Sequence, residues 1–187
     1  MDEERWLDID GAYNVRDLGG YETVDGRRTR WRKFLRTDNL HKLTDLAQSD
    51  LVNYGLGTVI DLRRTRETIE TPNVFAQSPN VEYIHANMIG DTDPPDYGTL
   101  PVDGVKSPAW VSRSYQILLD ARQDAIREIL GTLSRSDGHT AIFHCAGGTD
   151  RTGIIAALLL GLAGVPHDTI AEDYALSVEG IRARFLA

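Results

Sequence analysis

The sequence predicts an α/β fold with a central, mostly parallel sheet flanked by helices on both faces. Two observations carry this. Short apolar, β-branched runs ("GTVIDL", "NVEYIHA", "TAIFHC") alternate along the chain with stretches of helical period. The strand "TAIFHC" also runs through a small-residue loop straight into the apolar stretch "IIAALLLGLAGV", the strand–turn–helix order of a parallel sheet.

Asp25-Gly26 lies between two extended stretches and marks a hairpin. Thr44 caps a helix carrying Leu46, Leu51 and Val52 that ends near Gly55. "GTVIDL" is a buried strand ending at Asp61, and "NVEYIHA" is a second strand. Ser107-Pro108 is an N-cap followed by a first-turn proline. It opens a helical pattern running through Trp110, Val111, Ile117, Leu118, Ile126, Ile129, Leu130 and Leu133. After "TAIFHC" comes a helix from Arg151 to about Ala163, stopped by Gly164 and Pro166. A last helix covers roughly Asp168 to Ser177. The Gly-, Pro- and Asp-rich stretch 87–107 has neither period, and a loop of that length reads as a lid.

The 187 residues, 41% hydrophobic and 26% charged, fit one domain over 1–187. No stretch is apolar for long enough to span a bilayer. The acidic start lacks the pattern of a signal peptide. A single cysteine excludes an internal disulfide, so a cytoplasmic location is expected. The net charge of −8 argues against nucleic acid as a partner. Basic islands at Asp25–Arg36 and Arg63–Arg66 are either solvated faces or the rim of an anion site. No His/Asp cluster has metal-ligand spacing, and no cofactor is expected.

The chemistry concentrates in "HCAGGTDRTG", His144 to Gly153. Cys145 ends a strand at the sheet edge where α/β folds collect ligands. The loop then feeds a helix N-terminus, whose free N–H groups and positive dipole end favour an anion. Gly147 and Gly148 allow close backbone approach. Arg151 adds a fork of donors for two oxygens, and the same positive field favours thiolate over thiol. A nucleophile, an oxyanion cradle and a counter-charge together suit a phosphate monoester.

The pattern H-C-x-x-G-x-x-R-T-G resembles the phosphate-binding loop of the protein-tyrosine phosphatase superfamily. Asp150 before the arginine resembles the bacterial tyrosine and lipid phosphatase (PtpB-like) branch. "NVRDLGGY", "FLRTDNLHKLT" and "GTVIDLRRTRE" extend the likeness over most of the chain. The resemblance implies a cysteine-dependent tyrosine or dual-specificity phosphatase, with Cys145 forming a cysteinyl-phosphate and Arg151 binding the phosphoryl oxygens. It implies that Ala146, Gly147, Gly148, Thr149, Asp150 and Arg151 present backbone N–H groups, that Thr152 stabilises the departing thiolate, and that His144 orients the loop. The implied partners are a phosphorylated protein or small aryl phosphate, with inorganic phosphate as product. Thr149 stands where this branch commonly carries lysine, a departure that bears on phosphoinositides. The ending "RARFLA" is shorter than is usual in relatives, which continue through further helix.

The leaving group needs a proton donor. Asp61, at the strand end, is placed first. Asp150, within the loop, is second. Asp91, Asp93 and Asp96, on the expected lid, are third. Tyr13, Asn14, Arg16 and Asp17 form either a pocket wall or a buried polar network, and Arg63, Arg64 and Arg66 are candidates for the substrate entrance. Alternatives to the leading reading are a phosphoinositide phosphatase on the same scaffold, a phospho-binding module without turnover, and a rhodanese-type sulfur transferase. The intact Cys145/Arg151 pair opposes the binding module, and the R-T-G continuation opposes the sulfur transferase.

Overall fold

The computed structural model describes residues 5–97, 107–136 and 138–186, with side chains as far as residue 182. Residues 98–106 of the expected lid lie outside the described residues. The strands are β1 (Arg16–Asp17), β2 (Phe34–Thr37), β3 (Leu56–Asp61), β4 (Glu82–His85) and β5 (Thr140–His144). The helices are α1 (Asp45–Tyr54), α2 (Thr65–Glu70), α3 (Pro108–Ala121), α4 (Gln123–Arg135), α5 (Asp150–Leu162), α6 (His167–Ala175) and α7 (Ser177–Leu186).

The strands form one sheet in the order β1-β2-β5-β3-β4. Only β1 is antiparallel to its neighbour. The sheet is thus mostly parallel, as the alternation of strands and helices predicts. Its central strand, β5, is buried at all five positions, which explains why "TAIFH" is apolar without a period-two pattern. The register places His144 between Thr37 of β2 and Asp61 of β3, so three polar side chains meet at one carboxyl edge.

Each face of the sheet carries its own core. Ile60, Ala141 and Phe143 pack with Leu118, Ile129, Leu133 and Ile155 of α3, α4 and α5. Val59 and Ile142 point the other way, toward Leu35, Leu40, Leu51 and Phe75. Adjacent residues serve opposite layers because strand side chains alternate. Burying each large aliphatic side chain contributes roughly 1.5–3 kcal/mol.

The Thr44 cap is present, its hydroxyl accepting from Ala47 N–H at 3.3 Å, and Gly55 closes α1 at φ +115°. The face of α1 differs from expectation. Ala47 and Leu51 are buried, whereas Leu46 and Val52 are exposed. The long pattern from Ser107 to Leu133 is two helices, broken at Arg122 with φ −124° and ψ 28°. Arg122 holds the preceding loop by donating to the Thr92 carbonyl at 2.6 Å. The final helix is likewise divided, α6 ending at Ala175 before α7 starts at Ser177. The Asp25-Gly26 turn is tight, with Thr23 N–H donating to Arg27 C=O at 2.9 Å. Arg27 pairs with Asp25 and Arg28 with Glu22 at the surface, so this part of the basic island is a solvated face.

Candidate active site

Between β5 and α5 the chain makes a five-residue loop, 145–149, and Asp150 starts the helix. Gly148 has φ +69°, and a Cβ there would lie 2.7 Å from the Thr37 carbonyl and 2.8 Å from the Asp38 nitrogen. Backbone cannot yield as a flexible side chain would, so only glycine fits. Gly147 is different, since a Cβ there would meet only Thr149 Oγ1, at 3.9 Å.

The loop's carbonyls are held from one side. Asn39 N–H donates to Ala146 C=O at 3.3 Å. Asn14 Nδ2 donates to Gly147 C=O at 3.4 Å and to Gly148 C=O at 3.2 Å. Arg36 Nη2 also donates to Gly148 C=O, at 2.9 Å. Across a trans peptide the carbonyl and the next N–H point in opposite directions. The N–H groups of Gly147, Gly148 and Thr149 therefore face away from these anchors. Those of Asp150 and Arg151 follow in the first helical turn, where no intrahelical acceptor exists. The arrangement is a nest of donors at the positive end of α5.

Cys145 is 3% exposed at the base of this loop. Arg151 reaches toward it from α5. Its Nη1 and Nη2 donate to the two carboxylate oxygens of Glu67 at 2.5 and 2.9 Å. Burial works against the Arg151 charge, but the Glu67 hydrogen bonds and the nearby Cys145 and Glu67 charges raise its pKa above the ordinary value. Glu67 is held below its own ordinary value. Burial opposes its ionisation, and the hydrogen bonds from Arg151 and from Arg64 N–H outweigh it. Thr152, the residue after Arg151, is fully buried, and its hydroxyl has no hydrogen-bond partner among the described residues.

The "NVRDLGG" segment is a buried polar network. Asn14 Oδ1 accepts from Arg16. Asp173 of α6 accepts from Arg16 Nε at 3.1 Å, Arg36 Nη1 at 2.5 Å and Tyr21 Oη at 2.8 Å. Ser177 Oγ accepts from both arginines. Asp38 takes the N–H groups of Tyr13 and Asn14 at 2.9 and 3.1 Å. Asp17 accepts from Gly19 N–H and Tyr54 Oη.

His144 and Asp61 lie beneath the loop, both fully buried. Asp61 forms a two-point ion pair with Arg63, at 2.8 Å to Nε and 2.6 Å to Nη2, and accepts from Tyr83 Oη at 3.0 Å. Burial would raise its pKa, yet the hydrogen bonds from Arg63 and the Arg63 charge bring it down to about 2. This setting bears on the expectation that Asp61 is the acid. A proton donor must hold a proton near the working pH and reach the leaving group. Asp61 is an enclosed carboxylate committed to Arg63. His144 Nδ1 lies 3.1 Å from Cys145 C=O, and its Nε2 lies 2.8 Å from Asn73 Nδ2. A carbonyl only accepts and an amide nitrogen only donates, so Nδ1 carries the proton and Nε2 accepts. Burial lowers the His144 pKa against the pull of Asp61. The 3.5 Å approach of Nε2 to Asp61 is therefore not a charged pair.

Asp150 is exposed at the loop rim and accepts from Tyr115 Oη. In the segment before the undescribed stretch, the carboxylates of Asp91 and Asp93 are engaged elsewhere. Asp91 caps α2, accepting from Thr65 N–H and Oγ1 at 3.1 and 2.9 Å, and Asp93 pairs with Arg64. Asp96 has φ +64°. Of the three candidate entrance arginines, Arg63 is buried, Arg64 is at the rim and Arg66 pairs with Glu70 on the surface. Beside the loop, α3, α5 and α6 enclose an open apolar groove of about 1190 Å³, with Tyr115, Gly153 and Tyr174 among its walls. Among the described residues, no group of three or more His, Cys, Asp or Glu is placed to hold a metal ion.

Sequence reasoning did not find Glu67, Asn73, Tyr115 or Asp173. Glu67 alone left a local signal, standing three residues after Arg64 in the first turn of a helix and returning its carboxylate to Arg64 N–H at 2.9 Å.

A model of the tyrosine phosphatase family matches residues 7–186. The chain belongs to the tyrosine phosphatase family. A tyrosine-protein phosphatase of Nostoc commune is 33% identical over 77% of this chain and 48% of its own length. The triple specificity protein phosphatase PtpB of Mycobacterium tuberculosis is 27% identical over 95% of this chain and 72% of its own length. The chain thus spans about half the length of the first of these family members. The crystal structure of P. aeruginosa TpbA covers 92% of this chain and 79% of that chain, with a TM-score of 0.42 and 15% identity. The family match takes in the loop, Glu67 and the α6 carboxylate Asp173 alike.

Proposed function

We propose that this protein is a phosphomonoester hydrolase that dephosphorylates phosphotyrosine or related aryl phosphates through a cysteinyl-phosphate. One observation carries the reading. A buried thiol lies at the foot of a helix N-terminus whose loop carbonyls are all tied back, beside a two-donor arginine held by Glu67. In the first step the Cys145 thiolate attacks phosphorus, the bond to the leaving oxygen breaks, and that oxygen takes the proton of Asp150. The loop N–H groups and Arg151 hold the three equatorial oxygens as charge develops on them. In the second step water attacks phosphorus, Asp150 takes its proton, the P–S bond breaks and the Thr152 hydroxyl donates to the returning thiolate. His144 and Asp61 fix the loop's base. Residues 1–187 are read as one phosphatase domain, with 87–107 as its lid. No helix among the described residues is long and apolar enough to cross a membrane. The lone cysteine suits a reducing cytoplasm.

Thr149 favours the phosphotyrosine reading, because it places no second cation in the loop for a polyanionic headgroup. The deciding experiment compares kcat/KM on a phosphotyrosine peptide, a phosphoserine peptide and a phosphoinositide, with Cys145→Ser as control. The reading requires the phosphotyrosine peptide to lead and Cys145→Ser to be inactive. A phosphoinositide lead would move the substrate class to lipid, and activity in Cys145→Ser would end the thiol mechanism.

A further inference from the structure

We infer that Tyr115, backed by Tyr174, is the positioning residue for Asp150, fixing which carboxyl oxygen faces the leaving group. The inference rests on the reading of Asp150 as the acid. Asp150 is exposed at the first position of α5, where an unassisted carboxyl group has several rotamers open to it. Tyr115 of α3 removes that freedom by donating its hydroxyl to Oδ1. Tyr174 of α6 fixes Tyr115 in turn. The two phenolic oxygens are 2.7 Å apart, and the rings meet edge-on at 6.3 Å and 76°. Gly153 completes the fit, because a Cβ there would lie 2.8 Å from the Tyr174 ring. Three helices thus converge on one carboxylate.

The consequence is chemical. A carboxyl oxygen already accepting from a phenol is the poorer site for a proton. The acid proton is thus carried on Oδ2, the oxygen not engaged by Tyr115. The donor itself is secure, since burial and the hydrogen bonds to Asp150 and Tyr174 push the Tyr115 hydroxyl well above the ordinary tyrosine range. Tyr97, from the loop before α3, senses the charges of both Asp150 and Arg151.

The test measures kcat and KM for Tyr115→Phe, Tyr174→Phe, Asp150→Asn and the Tyr115→Phe/Asp150→Asn double variant. The substrates are p-nitrophenyl phosphate, whose leaving group needs little protonation, and phenyl phosphate, whose leaving group needs much. Tyr115→Phe is expected to lower kcat on phenyl phosphate about tenfold and on p-nitrophenyl phosphate less than about twofold, with KM unchanged. Tyr174→Phe should act in the same sense, and it carries the test alone if Tyr115→Phe fails to fold. In the Asp150→Asn background Tyr115→Phe should have no further effect, because its influence passes through that carboxyl group. Equal losses on both substrates, a change confined to KM, or additive losses in the double variant would overturn the inference. So would wild-type rates in Tyr115→Phe beside a leaving-group-sensitive Asp150→Asn, and that result would leave the acid assignment standing. An Asp150→Asn variant indifferent to the leaving group would remove the acid assignment and this inference together.

Discussion

Glu67 and Arg151 meet end to end, both terminal nitrogens of the guanidinium bound by both oxygens of the carboxylate. The pair joins α2 to the first turn of α5, and Glu67 is itself anchored to Arg64 N–H. Only 12% of the Arg151 side chain and 27% of the Glu67 side chain are exposed, so the geometry is held in a partly desolvated site.

Removing Glu67 should therefore cost activity more than stability. Glu67→Ala is expected to lower kcat/KM by about 10²-fold, the scale set by misplacing a positioned group by about 1 Å. Glu67→Gln, which keeps one hydrogen bond, should fall between Ala and wild type. Steady-state kinetics on an aryl phosphate give the ranking. Wild-type kinetics for Glu67→Ala would show that the fork positions itself.

Asp173 should matter for stability. It is shared by two fully buried arginines, Arg16 and Arg36, and its pKa lies below the ordinary value because these charges outweigh the burial that opposes ionisation. Asp173→Asn leaves buried cations under-compensated, which costs about 3–5 kcal/mol. Urea unfolding measures the loss, and a change below about 1 kcal/mol would contradict the network's role.

Acid should weaken the fold in two stages. His144 is kept neutral by burial, below its ordinary 6.5. Protons then bind the unfolded chain preferentially, so stability falls as pH drops below 6.5. Asp61 titrates at about 2 in the fold against an ordinary 3.8. Its contribution, about 2 kcal/mol, is present above about pH 4 and is lost as pH falls toward 2. Asp61→Asn should be less stable at pH 7 and flatter below pH 4. Urea midpoints across that range decide it, and an unchanged slope in the variant would contradict the assignment.

Gly148→Ala should disable the loop. Its new Cβ would press on backbone at Thr37 and Asp38 from a left-handed conformation. Gly147→Ala, with open space at its Cβ, should keep more activity. Equal loss in both variants would mean that the loop's shape is not what Gly148 secures.

The sheet and the strand–loop–helix course from Thr140 into α5 were legible because their signals are local. "GTVIDL" and "TAIFH" are short apolar runs, and the spacing from Cys145 to Arg151 lies in one turn. The polar supports were not legible, because their partners lie far apart in sequence. Asp173 is 157 residues from Arg16, and Glu67 is 84 from Arg151. Asp61 shows the limit of strand-end reasoning. The strand does end at the active edge, but Arg63 two residues on folds back to bind its carboxylate, and no periodicity reports that. The break at Arg122 is hidden for a similar reason, since the apolar period continues across it while the backbone turns.

The central claim is that Cys145 carries the phosphoryl group during turnover. Intact-protein mass spectrometry after acid quench of the enzyme with an aryl phosphate tests it most directly, with peptide mapping to locate the modification. The account predicts one added phosphoryl group on Cys145, accumulating further in Thr152→Ala as breakdown slows, and none in Cys145→Ser. Undiminished turnover with no phosphorylated cysteine, or a phosphoryl group mapped to another residue, would contradict it.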